Sequence, residues 1–490
     1  MKDKKKFRIF IFSIIIFMCI MITKKVFQND TFYTIKLGEL VLNNGIDMLD
    51  HYSFHTLMYT YPHWLYDVFI FLIYKAFSYT GVYISTIILF IILMGLIYYT
   101  NTKMFKKEVI VGFITIVSIL AMSNFVTARA QLVSYILFVL EFYFIEMFLK
   151  TGSKKYGIFL LLISLILCNI HVAVWPFYFI LFLPFIAEYI IAKLFKKKSI
   201  LFGRIDIEKN NNVKYLLLIM LLSTLTGLLT PIGDTPYTYL YNTMKGETTK
   251  EIFEHLPIVL YECKTVLVYI IIVNCLITFT KVKIKLSNLL LVVGLILLTL
   301  MHNRQQSMLY FVGILVVNKI ICKLFNEEEM KDVLKLFTSK LVCTILVLMF
   351  IIIMIIGLRI NKDNQFISKT FYPVEAVEYI KNNLDIQNIK LFNEYNFGSY
   401  LLFEGIPVFI DSRADVYDSA FNGWKNDIFM DYINISEKGE NYRYKFEKYG
   451  ITHILIYRNT ILSRILNVDD DYKQLYIDSN FILYERLNVN

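Results

Sequence analysis

The 490-residue sequence holds no Gly-x-x-x-x-Gly-Lys-Ser/Thr loop, and glycine is sparse at 19 residues. A chain without such a loop lacks the Gly-rich cradle for nucleotide phosphates, which argues against a nucleotide-sugar donor bound on a cytoplasmic face. No His-Glu-x-x-His occurs, so the zincin ligand set is missing too. Cysteine is scarce, and none of Cys19, Cys168, Cys263, Cys275, Cys322 and Cys343 forms a Cys-x-x-Cys pair. Most lie in or beside apolar runs, so they read as small core residues and not as a disulfide framework or a thiolate metal site. Internal repeats and low-complexity linkers are absent as well.

What the chain has in excess is apolar surface. The apolar fraction is 57% and aromatics make up 16%, with a mean hydropathy of +0.55. Soluble domains lie nearer 45–50% apolar. The excess is arranged in blocks of about 15–20 residues, the length that crosses ~30 Å of hydrocarbon, so lipid is the solvent for most of the chain. The formal charge is +10. A nucleic-acid partner is not implied, because the lysines cluster between apolar blocks (Lys103, Lys106 and Lys107; Lys193, Lys196, Lys197 and Lys198) as positive-inside anchors do.

The first apolar block, 7–22, follows Lys2, Lys4, Lys5, Lys6 and Arg8. Thr23, Lys24 and Lys25 succeed it where a cleaved signal would show small residues, so it reads as an uncleaved anchor with a cytoplasmic N-terminus. Segment 24–81 is then the first outer loop. Within it, block 64–79 is short and carries Asp67 and Lys75. If it spanned, Lys103, Lys106 and Lys107 would lie outside. It is therefore expected to be interfacial or re-entrant, with Trp64 and the tyrosines at headgroup depth. Further spans fall at 82–99, 109–122, 131–149, 156–170, 174–192, 214–230, 265–280, 286–301, 306–322 and 341–358. With 7–22 this makes about eleven spanning helices and puts every inter-span lysine cluster in the cytoplasm.

The expectation is a polytopic α-helical protein of the plasma (cytoplasmic) membrane. Residues 1–358 form its multi-pass part, and 359–490 form a small extracytoplasmic α/β domain. In that tail, 373–383, 418–435 and 461–466 read as helices, and 390–392, 408–410, 453–457 and 481–484 as strands.

Under this topology the unusual polar residues share the outer side. Asp30, Asp47, Asp50, His51 and His55 lie in the first outer loop. Asn124 and Arg129 lie in a short turn, Asn169 and His171 at a span end, Asp234, Glu247, Glu251, Glu254 and His255 in a later loop, and His302, Asn303 and Arg304 at another span end. Ionisable groups at membrane depth are costly and point to function, and Arg129 and Arg304 break the lysine-inside pattern. A carboxylate can take a proton from an acceptor hydroxyl, and arginine matches phosphate with a planar donor fork. These parts suit glycosyl transfer from a polyprenyl-phosphate sugar. A lipid flippase or an anion transporter could use the same arginines.

Several stretches then resemble the bacterial GT-C-type membrane glycosyltransferases. Asp30-Thr-Phe-Tyr-Thr-Ile-Lys-Leu-Gly38-Glu39, Asn44-Gly45-Ile46, Asp50-His-Tyr-Ser-Phe-His-Thr56 and Trp64-Leu65 are similar to that group's first outer loop. Thr127-Ala-Arg129-Ala-Gln131-Leu resembles its Arg/Gln turn, with Ala130 where the group has Pro. Cys168-Asn169-Ile170-His171, Leu229-Thr-Pro231-Ile-Gly233 and His302-Asn303-Arg304 fall where the group has an Asn-x-His segment, a Pro-x-Gly turn and an outer Arg. Gly398-Ser-Tyr400-Leu and Val408-Phe-Ile-Asp411-Ser-Arg413-Ala-Asp415-Val-Tyr417 resemble stretches of its outer domain.

The resemblance implies a GT-C-like multi-pass core with interfacial helices in the first outer loop, and Asp30 as the catalytic base. It implies a lipid-phosphate-linked sugar as donor and a glycan, lipid or protein as acceptor. In metal-dependent members acidic side chains hold a divalent ion, for which Asp50 and Glu254 are the candidates here. Arg129 and Arg304 are the preferred phosphate ligands. Asp50, His51, Trp64, Gln131, His171, Glu254 and His302 complete the expected substrate-binding set.

Each candidate also has a plainer reading. Asn29-Asp30-Thr31 reads equally as a helix N-cap, and Asp50 as an Asx-type turn. The arginines read as ion pairs with an outer-loop acid. Asp411, Arg413, Asp415 and Tyr417 read either as a glycan-binding cluster at a strand end or as a salt-bridge network that docks the tail. Two other functions remain open: a flippase or transporter for lipid-linked glycan, which needs a polar path through the spans, and a non-catalytic membrane scaffold with an outer binding domain. Glu141 and Glu146 are the exceptions in otherwise apolar spans.

Overall fold

The computed structural model of the chain describes residues 2–487 except 196–198, 201, 202, 326, 340, 343, 346, 347, 350, 353, 354, 356–364 and 424–426. The chain packs into two compact units, each assembled from three stretches of sequence.

The first unit combines Met1–Lys24, Tyr83–Thr230 and Ile252–Asp363 and is almost wholly helical. Its helices include Lys2–Ile22, Glu108–Ala121, Gln131–Thr151, Lys154–Ile170, Trp175–Leu194, Val213–Thr224, Lys264–Phe279 and Leu286–Met301. A further helical stretch passes through a π-turn at Leu309–Gly313 before Ile314–Leu324, and helix Glu327–Phe337 follows it. These elements lie over the expected spans because apolar runs of that length satisfy their own backbone polar groups only as helices. Among the described residues four stretches, Trp64–Phe105, Gln131–Thr151, Val172–Leu194 and Asn303–Leu324, are by length and composition long and apolar enough to cross a bilayer. The expected span 341–358 falls largely outside the described residues. Gln131–Thr151 reverses into Lys154–Ile170 at Gly152, which caps the helix at φ 66°, a left-handed angle that glycine adopts without strain.

Trp64–Phe105 carries the boundary that the charge pattern placed between two blocks. The helix is broken at Ser78, with φ 55° and ψ −155°. The stretch 64–79 thus ends at a real discontinuity in the backbone.

The second unit combines Lys25–Val82, Pro231–Glu251 and Asn364–Asn490. Its sheet runs in the order Leu391–Asn393, His453–Tyr457, Phe481–Arg486, Tyr472–Ile477, with the first pair parallel and the others antiparallel. Strand His453–Tyr457 is buried almost throughout, as a central strand must be. Helices Val374–Asn383, Tyr395–Phe403, Ile428–Ser436, Tyr442–Tyr449 and Ile461–Leu466 flank it.

Three expectations for this segment change. The run 408–410 makes only isolated bridges, Val408 pairing with Leu391 and with Ser53. The helix read over 418–435 is Ile428–Ser436, preceded by the short turn Ala414–Tyr417. Strand Tyr472–Ile477 was not foreseen, because it is an edge strand with Lys473 and Gln474 exposed and no apolar run.

The segment expected to be the first outer loop is folded into this unit as Lys25–Val82. Helix Asn29–Asn44 packs on Tyr395–Phe403. Gly38 lies against the Asp67 backbone so closely that a Cβ there would overlap the Asp67 carbonyl.

Candidate functional site

Two clusters of polar side chains stand out, one in each unit. In the first unit, the turn at Ser123–Phe125 and the start of helix Gln131–Thr151 carry Arg129, whose N–H donates to the Thr127 carbonyl. The turn Asn303–Gln305 carries Arg304. Both arginines converge on Glu254. Arg129 reaches one carboxylate oxygen at 3.2 Å and Arg304 the other at 3.9 Å.

The loop is stapled to the turn by its backbone. Arg304 N–H donates to the Glu254 carbonyl and Asn303 N–H to that of Leu256, both at 2.9 Å. His302 Nδ1 meets the His255 carbonyl at 2.8 Å. The charge of Arg129, opposed by burial and reinforced by Arg304, draws the Glu254 carboxyl down to about 2. Burial, then the charge of Arg304, lowers His255 to about 4, so its ring is neutral near pH 7.

Two other expected residues of this unit lie elsewhere. His171 is buried and shares a hydrogen bond with Ser134 at 2.9 Å. Gln131 begins its helix, half-buried. Glu141, midway along Gln131–Thr151, is fully buried with both carboxylate oxygens lacking a hydrogen-bond partner among the described residues.

In the second unit, Asp30 occupies the first turn of Asn29–Asn44, half-buried. The capping position is Gln28 and makes no side-chain cap, so Asp30 is not the N-cap; a carboxylate in the first turn favours the helix dipole. Tyr33, one turn further on, places its hydroxyl 3.2 Å from His63 Nε2 and stacks on that ring. His63 Nδ1 holds the buried Asp67 at 2.6 Å. Burial disfavours the charged imidazole. The charge and hydrogen bond of Asp67, helped by Asp415 and Asp30, more than offset it, and His63 binds its proton more tightly than a free histidine.

His63 and Asp67 were absent from the expected set. Their spacing, four residues apart at a helix start, is the signal that could have found them. Trp64 opens that helix with its indole N–H buried and unpartnered among the described residues. His51 is exposed and pairs with Asp47 at 2.6 Å.

Two further acids of the second unit, Asp50 and Asp411, are engaged by one buried cation. Arg413 meets Asp50 and Asp411, each at 2.7 Å, with all three side chains inaccessible. Tyr417 donates to Asp411 at 2.6 Å, and the guanidinium lies over the rings of Tyr52 and Tyr59. Burial pushes the Asp50 carboxyl up, but Arg413 and Ser53 outweigh it and hold it below the usual range. Asp415 lies apart, 3.4 Å from the Thr60 hydroxyl, and burial raises its carboxyl. Asp50 is thus engaged by Arg413, and Glu254 by two arginines. Among the described residues no three His, Cys, Asp or Glu side chains are grouped to hold a metal.

The structure is similar to that of the archaeal oligosaccharyltransferase AglB from Archaeoglobus fulgidus, solved in complex with an inhibitory peptide and a dolichol-phosphate. The TM-score is 0.58 at 9% identity, covering 93% of this chain and 70% of that one. At that identity the likeness is one of fold. No protein-family profile and no curated protein matches the sequence.

Proposed function

We propose that the protein is a membrane glycosyltransferase that moves a sugar from a polyprenyl-phosphate donor to an acceptor on the outer face of the membrane. Asp30 serves as general base, and Arg129 and Arg304 hold the donor phosphate. The observation that carries this reading is the convergence of the two arginines on a single anion position from turns far apart in sequence. Two planar forks aimed at one anion suit a phosphate group. The GT-C-like fold adds support, since the AglB structure it resembles was solved with a dolichol-phosphate.

In the transfer, Asp30 takes the proton of the acceptor hydroxyl as its oxygen attacks the anomeric carbon. The bond from that carbon to the phosphate oxygen breaks with inversion. The electron pair leaves on the phosphate, where the arginines stabilise the growing charge. The acceptor is a glycan, a lipid or a protein.

The test compares envelope glycans from the parent, a deletion strain and an Asp30→Asn strain with confirmed expression. Loss of one sugar linkage in both altered strains is the expected result, and that linkage identifies the product. If deletion changes the glycans and Asp30→Asn does not, Asp30 is no catalyst.

A second reading, transport of lipid-linked glycan, draws on Glu141 alone. A carboxyl midway along a span with no hydrogen-bond partner among the described residues is what an ion or proton path would use. That reading requires Glu141→Gln to reproduce the deletion phenotype, whereas the transferase reading requires it to leave the glycans intact.

A further inference from the structure

Helix Thr235–Lys245 of the second unit reverses the amphipathic order of a helix that faces water. Its large apolar side chains point outward: Leu240 is 38%, Tyr241 58% and Met244 75% exposed. These positions share one face at the 3.6-residue period. The polar side chains take the other side. Thr235 is buried, and Thr238, Asn242 and Thr243 are half-buried. The three threonine hydroxyls donate to the carbonyls of Ile232, Asp234 and Tyr239 at 2.6, 3.2 and 2.8 Å, so they turn inward without stranding a donor.

That inner side is tied to the tail. The Tyr239 ring meets Phe421, with centroids 5.3 Å apart. Past the helix end, Thr248 N–H donates to the buried Asp418 carboxylate at 3.1 Å. Gly246 lies so close to the same carboxylate that a Cβ there would overlap it. The helix is thus held along one side and at its C-terminal end, with the apolar stripe facing out. Single exposed leucines are ordinary on any surface. A stripe of adjoining large apolar groups above a polar inner face calls for an apolar partner.

Two observations point to lipid as that partner. Ten residues, 225–234, join the helix to the apolar helix Val213–Thr224. Leu225, Leu228 and Leu229 on this link are exposed, as Leu218 and Leu221 of the apolar helix are, so the stripe continues a series of exposed apolar side chains. The stripe also closes on the exposed Lys245, whose ammonium lies 4.6 Å from the Tyr241 ring centre. Aliphatic groups, a phenol and a cation together suit a helix lying where acyl chains meet headgroups.

We propose that helix Thr235–Lys245 is a lipid anchor of the second unit, with Leu240, Tyr241 and Met244 immersed at the boundary of acyl chains and headgroups and Lys245 among the headgroup phosphates. Through the tie to Asp418 and Phe421 it holds the second unit at the membrane surface. The anchor stands independently of the transferase reading.

The test is photolabelling of the full-length protein in vesicles of phosphatidylcholine and phosphatidylglycerol, with a fraction of the phosphatidylcholine carrying a diazirine on its acyl chain. Peptide mass mapping after irradiation is expected to find adducts on Leu240, Tyr241 and Met244 and none on Thr238 or Asn242. A variant with Leu240→Glu and Met244→Glu, which leaves the inner side untouched, is expected to lose the adducts on this helix while Val172–Leu194 is labelled as in the wild type. If that variant does not purify as a folded protein, Met244→Glu, at the most exposed position of the stripe, takes its place. The oligomeric state of each protein is read by light scattering in detergent. A wild type with no adducts over 235–245, while Val172–Leu194 is labelled, overturns the anchor. In that case a wild-type dimer that the glutamate variant converts to a monomer assigns the stripe to a second copy, and monomers throughout leave it facing water. Adducts spread equally over Thr238 and Asn242 overturn the anchor as well, because no one face would then be immersed.

Discussion

Arg413 illustrates how much a single side chain decides in this molecule. It is buried between Asp50 and Asp411, with Tyr417 donating to Asp411. Removing one member of a buried ion cluster leaves uncompensated charge, at a cost of about 3–5 kcal/mol. Arg413→Met is therefore expected to lower the thermal unfolding midpoint sharply, whereas Lys473→Met, on the exposed edge strand, is expected to leave it unchanged. The Asp411 to Tyr417 stretch was legible as a polar cluster. Its partner Asp50 was not, because nothing local in the sequence links residues so far apart. Arg129 and Arg304 could be picked out because arginine on the lysine-poor side breaks a rule. His63 escaped because Asp67 was weighed as a charge that spoils a span and not as the partner of a histidine one turn earlier.

His63 also gives a pH dependence whose sign is fixed. Its folded-state affinity for the proton is raised above that of an unfolded histidine, near about 6.5. The stabilisation is complete below that value and is lost as pH rises through the higher folded value. Unfolding midpoints of the purified protein are expected to fall as pH climbs above about 6.5, and His63→Gln is expected to flatten that slope. A wild-type midpoint that holds or rises over the same range would remove His63 as a stabilising cation.

The elements differ in how plainly the sequence marks them. Long apolar runs announced their helices. The break at Ser78 was foreshadowed by Asp67 and Lys75 in one block and a clean run in the next. Helix Asn29–Asn44 was harder, because its polar composition resembles a loop and its burial comes from packing on Tyr395–Phe403. That second helix makes its own demand on the sequence. A Cβ on Gly398 would overlap the Ile410 carbonyl, which accepts a hydrogen bond from Asn393 at 2.7 Å. Gly398→Ala must push the helix and the Ile410–Asp411 backbone apart, and overpacking of this kind costs about 1–3 kcal/mol. Gly405→Ala, by contrast, meets nothing within 4 Å, so its cost comes only from the left-handed φ of 83°. Measured unfolding midpoints should rank Gly398→Ala as the more damaging.

Across the whole chain, the linear division at residue 358 and the compact units do not coincide. The tail packs with Lys25–Val82 and Pro231–Glu251, so a unit with its own core is drawn from three separated segments. Sequence patterning sees each segment alone and has no means to report the bridge from Ser53 to Val408 or the ion pair from Asp50 to Arg413. The consequence is testable by truncation. Ending the chain before the tail would leave Asp50 without its counter-ion, Phe32 without its ring contacts to Tyr372, Tyr400 and Phe403, and His55 without the Phe409 carbonyl. The segment Lys25–Val82 would then carry an unpaired buried acid and exposed aromatics, which it cannot sustain as a folded segment. In detergent, limited proteolysis of the truncated protein is expected to cut within 25–63, where the full chain resists. A truncated protein whose loop stays as resistant as the wild type would mean that the loop holds its fold without the tail.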